Sequence, residues 1–405
     1  MTAEWSLSVK ELSSRAMSVQ ASTTIAIDAM YKKMRADGID VIGFGAGEPD
    51  FNTPEFIKEA GIQAIKDNQT RYTPAAGLET LRKAICMRLE ADCGVQYAPN
   101  QIVTASGAKH NVYIALLALL NPGDEVILPA PFWVSYYEMI RMAGGTPVII
   151  SAKEENDFKL SVANLAAAVT SKTKAIILNN PSNPTGMVYT KDELLEIANF
   201  CLAQDLYVIA DEIYYNLLYD GLNFVSFASL GDEIKEHTIL INGVSKSYAM
   251  TGWRLGYAAS NTTIAKVMSN YLSHSTSAPS TISQIAATEA LIGPQDEVEI
   301  MRQEFEHRRN YMVDRMNQLP GVRCRMPHGA FYIMMNLEEL IGEKIAGRKI
   351  TDADTFASAF LEKGLVATVP CTGFGAPNYI RWSYATSMEN IKEGMDRLER
   401  FLQTR

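Results

Sequence analysis

The sequence predicts an α/β fold: a mostly parallel sheet with helices on both faces, joined to a smaller α+β unit. Three observations predict it. Apolar strand-like runs alternate with helical patterns from about residue 100 to 260, the rhythm of a parallel sheet. The 405 residues exceed what one small core organises and indicate about two or three domains. A composition 47% hydrophobic and 20% charged is that of an ordinary globular chain.

Composition also removes function classes. A net charge of -9 argues against binding nucleic acid by neutralising phosphates. Five cysteines without a C-x-x-C pair suit a reducing, cytoplasmic setting. The N-terminus lacks a signal-type apolar core, and the most apolar run, Val112 to Leu120, is too short to cross a bilayer. The five histidines show no metal-ligand spacing, so no metal is expected.

In chain order, residues 1–37 carry a helical pattern that ends near Asp37-Gly38. Gly43, Gly45 and Gly47 follow, but the third glycine of a dinucleotide fingerprint is replaced by Glu48-Pro49. Either a plain turn or a close backbone approach to a ligand fits this segment. Two helical patterns between 54 and 91 flank a turn-rich linker that holds Tyr72, a surface phenol or a ligand contact. Gln101 to Thr104 reads as a strand, running through Ser106-Gly107-Ala108-Lys109 into an apolar helix that ends at Asn121-Pro122-Gly123. A helix start after a small-residue turn is an anion site, with free N–H groups and the positive dipole end together.

Glu125 to Ala130 then leads to Trp133, which either stacks on a planar ligand or packs in the core. Ala175 to Leu178 is a strand that runs into a proline-stiffened turn presenting Asn183 as a donor. Leu206 to Ala210 is a continuous apolar strand closed by Asp211 and Glu212, with Tyr214 beyond; buried carboxylates are costly unless partnered. Thr238 to Ile241 is another buried strand, and Ser245 and Lys246 lie just past its end. Desolvation lowers a lysine's pKa, and the neutral amine is the form that condenses with a carbonyl. Arg254, eight residues on, supplies a fork that matches a phosphate. Together they ask for an aldehyde cofactor carrying a phosphate. Ser106, Trp133, Asn183, Asp211 and Lys246 all fall just past strand ends, where ligands of such sheets gather. A charged helix from Glu297 to Leu319 ends at a hinge-like Pro320-Gly321, and Gly329 to Met334 and Tyr379 to Ser383 read as strands of the smaller unit.

Three pieces in order, Asn180-Pro181-Ser182-Asn183-Pro184-Thr185-Gly186, Asp211-Glu212-Ile213-Tyr214, and Ser245-Lys246 with Met250 to Arg254, give the chain a family resemblance. It resembles the class I aminotransferases of the fold-type I pyridoxal-phosphate enzymes, especially the bacterial aspartate aminotransferase branch. The resemblance implies a seven-stranded, mostly parallel sheet. It divides the chain into an arm with part of the small domain (1–50), a large cofactor domain (51–315) and a small domain (316–405). Lys246 would hold pyridoxal 5'-phosphate as a Schiff base and move the proton, Asp211 would pair with the ring nitrogen, and Asn183 and Tyr214 would bond the ring oxygen. Trp133 would stack on the ring, and Ser106, Gly107, Ala108, Ser245 and Arg254 would hold the phosphate. Tyr72 would reach that phosphate across a homodimer interface. Arg381 would take the substrate α-carboxylate beside Gly47, with Trp133 and Asn183 also near the substrate.

The implied reaction moves an amino group from aspartate to 2-oxoglutarate. Related enzymes for aromatic, alanine or prephenate-type substrates, or a lyase on this fold, are the alternatives. A regulator with an enzyme-like sensor domain is disfavoured by the acidic balance. Two departures stand out. Lysine falls one place late, at Lys109, and a one-residue step turns a helical side chain by about 100°, which predicts that it misses the substrate. Cys371 replaces a glycine common in a Pro-Gly turn.

Overall fold

The computed structural model describes residues 10–19 and 24–405. The expected helix at the start of the chain runs Thr24–Ala36, and residues 1–9 and 20–23 of the expected N-terminal arm lie outside the described residues.

Seven strands form the main sheet: β1 (Ile102–Ala105), β2 (Glu125–Ala130), β3 (Thr146–Ser151), β4 (Thr173–Asn179), β5 (Tyr207–Asp211), β6 (Thr238–Gly243) and β7 (Gly256–Ala259). Their spatial order is β1-β7-β6-β5-β4-β2-β3. Strand β7 is antiparallel to β1 and β6, and the other pairs are parallel. A parallel sheet is covered on both faces, so its strands read as unbroken apolar runs. Ile209, Ile239 and Ile241 pack against helices α1 (Ala108–Leu119) and α2 (Ser135–Met142), whereas Val208 and Ala210 meet helix Lys191–Ala203 on the other side. Strand β3 is absent from the sequence reading. It is an edge strand with Pro147 and three exposed positions, so its apolar run is only the three residues Val148 to Ile150.

A second, antiparallel sheet has β8 (Arg323–Cys324), β9 (Tyr332–Asn336), β10 (Val369–Pro370) and β11 (Tyr379–Ser383) in the order β10-β11-β9-β8. Helices α3 (Asp296–Asn317) and α4 (Met388–Leu402) close its core, in which Phe44, Phe305, Met312, Trp382 and Leu398 are buried. The segment Ile42–Gly43 pairs in parallel with Val366–Ala367, so the glycine segment is tied to this second unit. Helix α3 begins with Asp296, Glu297 and Glu299 and has Arg315 in its last turn, charges that suit its dipole. Among the described residues no helix is long and apolar enough to cross a membrane.

Candidate active site

The carboxyl ends of β1, β2, β4, β5 and β6 converge on a cavity of about 500 Å³ that the second sheet closes from above. Lys246, three residues past β6, is half-buried there, and its Nζ donates to the Gly47 carbonyl. Asp211, the last residue of β5, is buried; its Oδ2 accepts from Tyr136 Oη at 2.6 Å and its Oδ1 from the Ile213 amide at 3.2 Å. Strand alternation turns Glu212 the other way. Its carboxylate accepts from Ser226 Oγ at 2.9 Å and the Phe227 amide at 2.8 Å, so only one of the two acids enters the cavity.

Arg381 comes from β11 and is buried. Its Nη1 donates to Asn183 Oδ1 at 3.0 Å and its Nη2 to the Gly45 carbonyl at 3.0 Å, while its Nε is buried without a protein partner. Its guanidinium lies 4.5 Å from the centre of the Tyr332 ring, and Tyr332 Oη is 3.0 Å from Tyr214 Oη. The turn carrying Asn183 is fixed from below: Asn179 Oδ1 accepts from the Asn183 amide at 2.7 Å and Asn179 Nδ2 donates to the Asp211 carbonyl at 2.9 Å.

On the β1 side, Gly107 caps helix α1 with φ +89°. A Cβ at Gly107 would meet Arg254 Nη2 at 2.6 Å, so only glycine lets the guanidinium lie against this turn. Arg254 Nη2 donates to the Ser106 carbonyl at 3.2 Å and its Nη1 to the Thr251 carbonyl at 2.8 Å. Ser245 and Ala108 line the same end of the cavity.

The electrostatics follow from burial. Burial pushes the Lys246 ammonium down to about 8, with Arg381 and Arg254 adding to the effect and Glu48 and Asp211 opposing it. Burial pushes the Asp211 carboxyl up to about 6, against the lowering by Tyr136, the Ile213 amide and Lys246. The Tyr214 phenol is held well above its usual range, chiefly by burial. The site therefore couples an amine near neutrality to a carboxylate that is still ionised at pH 7.

Lys246, Asp211, Tyr214, Asn183, Trp133, Ser245, Arg254, Gly107, Ala108, Gly47 and Arg381 all line this cavity, and Ser106 borders it through Arg254. Tyr72 does not: it is 99% exposed in the single chain. Lys109, expected to miss the substrate, does line the cavity. It occupies the first turn of α1, and its long stem brings Nζ 4.7 Å from the centre of the Trp133 ring, into the cavity. Three polar neighbours escaped the sequence reading: Tyr136, Tyr332 and Asn179. Cys371 is fully buried, and its φ of -90° needs no glycine. Burial pushes its thiol up to about 12, so it fills the turn as an unreactive group.

The family model described as aminotransferase class I and II matches residues 39–398. The aspartate aminotransferase of Bacillus sp. (strain YM-2) is 48% identical over 394 residues, covering 97% of this chain and 99% of that protein. That of Bacillus subtilis (strain 168) is 46% identical, with 97% and 99% covered. Among solved structures, the chain is similar to an aspartate aminotransferase from Rhizobium meliloti with a TM-score of 0.95 at 38% identity, covering 98% of this chain and 100% of that one.

Proposed function

This chain belongs to the class I and II aminotransferase family, and from that premise we propose that it exchanges amino groups between L-aspartate and 2-oxoglutarate with pyridoxal 5'-phosphate as cofactor. The observation that carries the reading is the joint presence, in one cavity, of Lys246 with its ammonium near 8, Asp211 buried behind it, and Arg381 with an unpartnered Nε. The donor set suits the cofactor. The start of α1 and Arg254, pressed against a turn that a Cβ would fill, make an anion cradle for its phosphate.

When bound, the cofactor supplies an electron-withdrawing ring that stabilises negative charge at the substrate Cα. Lys246 would hold it through Nζ, and as a free amine the same Nζ would be the base that takes and returns the substrate's Cα proton. Asp211 stays ionised and keeps a proton on the ring nitrogen. Asn183 and Tyr214 bond the ring oxygen, Trp133 covers the ring, and Ser106, Gly107, Ala108, Ser245 and Arg254 hold the phosphate. Arg381, with its Nε unpartnered, would grip the α-carboxylate beside Gly47. Lys109, already in the cavity, meets the second carboxylate of a four- or five-carbon diacid, which favours aspartate over alanine or aromatic donors.

We also divide the chain into a large domain (51–315) and a small one (316–405 with part of 1–50). We place it in the cytoplasm, where its five free thiols suit a reducing medium. Tyr72 completes the phosphate site of a second copy in a homodimer. Titrating the purified, pyridoxal-phosphate-loaded protein with aspartate should bleach its visible absorbance, and 2-oxoglutarate should restore it. Lys246→Ala should abolish turnover and prevent covalent capture of the cofactor on borohydride treatment. Ammonia release without an acceptor would identify a lyase instead, and a clear preference for phenylalanine would end the aspartate assignment.

A further inference from the structure

Glu154 stands outside the cavity, in the short turn Glu154–Asn156 that follows β3, and no role in the chemistry has been given to it. Its side chain is 15% exposed. One of its oxygens, Oε2, accepts three hydrogen bonds, all from the second sheet: from Arg323 Nη2 at 3.1 Å, Asn336 Nδ2 at 2.6 Å and Tyr379 Oη at 3.0 Å. Those donors form one row across three strands, because Asn336 is in register with Tyr379 on one side and with Arg323 on the other. Residues two apart on a strand share a face. The next row on that face is Met334 with Arg381, and the one after it Tyr332 with Ser383. Glu154 thus grips the sheet one row, about 7 Å, from the arginine read as the substrate-carboxylate site.

Other contacts join the two units nearby: the Phe132 amide donates to the Phe374 carbonyl at 3.0 Å, Arg381 itself donates to Asn183 Oδ1, and Arg325 Nε lies 3.5 Å from Asp157. A cavity of about 730 Å³ opens beside Glu154, Arg323 and Tyr379. The supporting contacts are Arg325 Nη2 donating to the Glu154 carbonyl at 3.0 Å and Phe158 packing edge-on against Tyr379 at 5.4 Å. The groups read as cofactor ligands, Lys246, Asp211 and Arg254, all belong to the main-sheet segment, and none touches this row.

We propose that Glu154 is a positioning residue for amino-group transfer: it fixes the second sheet against the main one and thereby sets where the Arg381 guanidinium stands relative to Lys246. The inference rests on the reading of Arg381 given above. It predicts a separation of effects. Loss of the carboxylate loosens the grip on the substrate carboxylates and leaves the hold on the cofactor untouched.

The test uses the full-length holoprotein and its Glu154→Ala and Glu154→Gln variants, with three readouts: the dissociation constant of succinate, a non-reacting dicarboxylate; the dissociation constant of pyridoxal phosphate; and KM and kcat for aspartate. Glu154→Ala is expected to weaken succinate binding and raise KM by about tenfold or more, since a misplaced binding group costs up to about a hundredfold. Cofactor affinity should stay within about twofold of the wild type, and kcat should fall by less than about threefold. Glu154→Gln keeps an oxygen for Tyr379 and Asn336 and should fall between. Tyr379→Phe removes one donor to Glu154 and one acceptor for Asn336 Nδ2, keeps the ring against Phe158, and should weaken succinate by a few-fold if Glu154→Ala does not fold. Unchanged succinate affinity in Glu154→Ala, or in Tyr379→Phe where that variant stands in, overturns the proposal. So does a parallel loss of cofactor affinity. A wild type that binds neither pyridoxal phosphate nor succinate instead sinks the functional reading itself.

Discussion

Tyr136 holds one oxygen of Asp211 at 2.6 Å and the Ile213 amide holds the other at 3.2 Å, so the aim and the charge of this carboxylate are set by two donors. Burial alone raises its pKa, and these bonds pull it back to about 6. A hydrogen bond to a charged group contributes about 1.5–3 kcal/mol, equivalent to about one to two pKa units. The variant Tyr136→Phe removes the lowering contribution, so the Asp211 pKa should rise by about one unit or more. In the proposed role Asp211 acts ionised, so the acid limb of kcat/KM for aspartate should lie at higher pH in the variant than in the wild type, by about the same amount. A pH profile of the variant checks this, and an acid limb that stays in place removes Tyr136 from the site. Most of the other candidate residues were legible because each lies at or within four residues of a strand end, as Asp211, Asn183 and Lys246 do. Tyr136 was not, since it also packs with Met139 and Ile140 on the buried face of α2 and its spacing reads as core. The place of Lys109 beside Trp133 was not legible either, because a helical-wheel angle ignores a four-carbon stem that can bend back.

At the scale of elements, the two sheets are tied together a second time, on the side of α3. Arg309 in α3 is 1% exposed at its side chain and meets Asp220 with two parallel bonds, at 2.7 and 2.8 Å. Its Nη1 also donates to the Pro327 carbonyl at 2.9 Å, and His328 Nδ1 lies 2.9 Å from Asp220. Asp220 thus links the stretch after β5 to the stretch before β9 through a buried guanidinium. The Arg309 bonds, helped by His328, hold the Asp220 carboxyl down at about 2. With the folded pKa below the unfolded one, this acid stabilises the fold fully above the ordinary carboxylate range and loses that contribution as pH falls through about 2. Asparagine tolerates the local φ of +60°, so Asp220→Asn isolates the charge. It should cost about 1–2 kcal/mol at neutral pH, the value for a charged hydrogen bond reduced because Asp220 is partly exposed. The gap from the wild type should close as the pH approaches 2, the folded-state pKa. Urea unfolding across that range measures it; a gap independent of pH would assign the cost to something other than the carboxylate. The strands and helices meeting here were visible in the sequence as apolar runs and as a charged helix, read within about three residues of their ends. The joint was not, because it depends on residues 89 positions apart in the chain.

At the scale of the whole molecule, the single chain leaves its proposed phosphate site open on one side. Tyr72 is 99% exposed, and an apolar cavity of about 760 Å³ lies beside Ser106 and Arg254, walled by Phe132, Tyr137, Met142 and Ile149. A homodimer in which each copy lends Tyr72 to the other accounts for both features, and it makes a prediction that depends on which chain the phenol serves. Two disabled variants, Lys246→Ala and Tyr72→Ala, are mixed under conditions that exchange subunits. If Tyr72 acts across the interface, a mixed dimer holds one complete site: Lys246 from the Tyr72→Ala copy and the phenol from the other. Random pairing makes half the dimers mixed, each with one working site of two, so activity should recover to about one quarter of the wild type. If Tyr72 serves its own chain, no mixed dimer contains a complete site and activity stays at the level of the parents. Cofactor affinity follows the same logic, with tight sites appearing only in the mixture, so the outcome can be read from bound pyridoxal phosphate as well as from turnover.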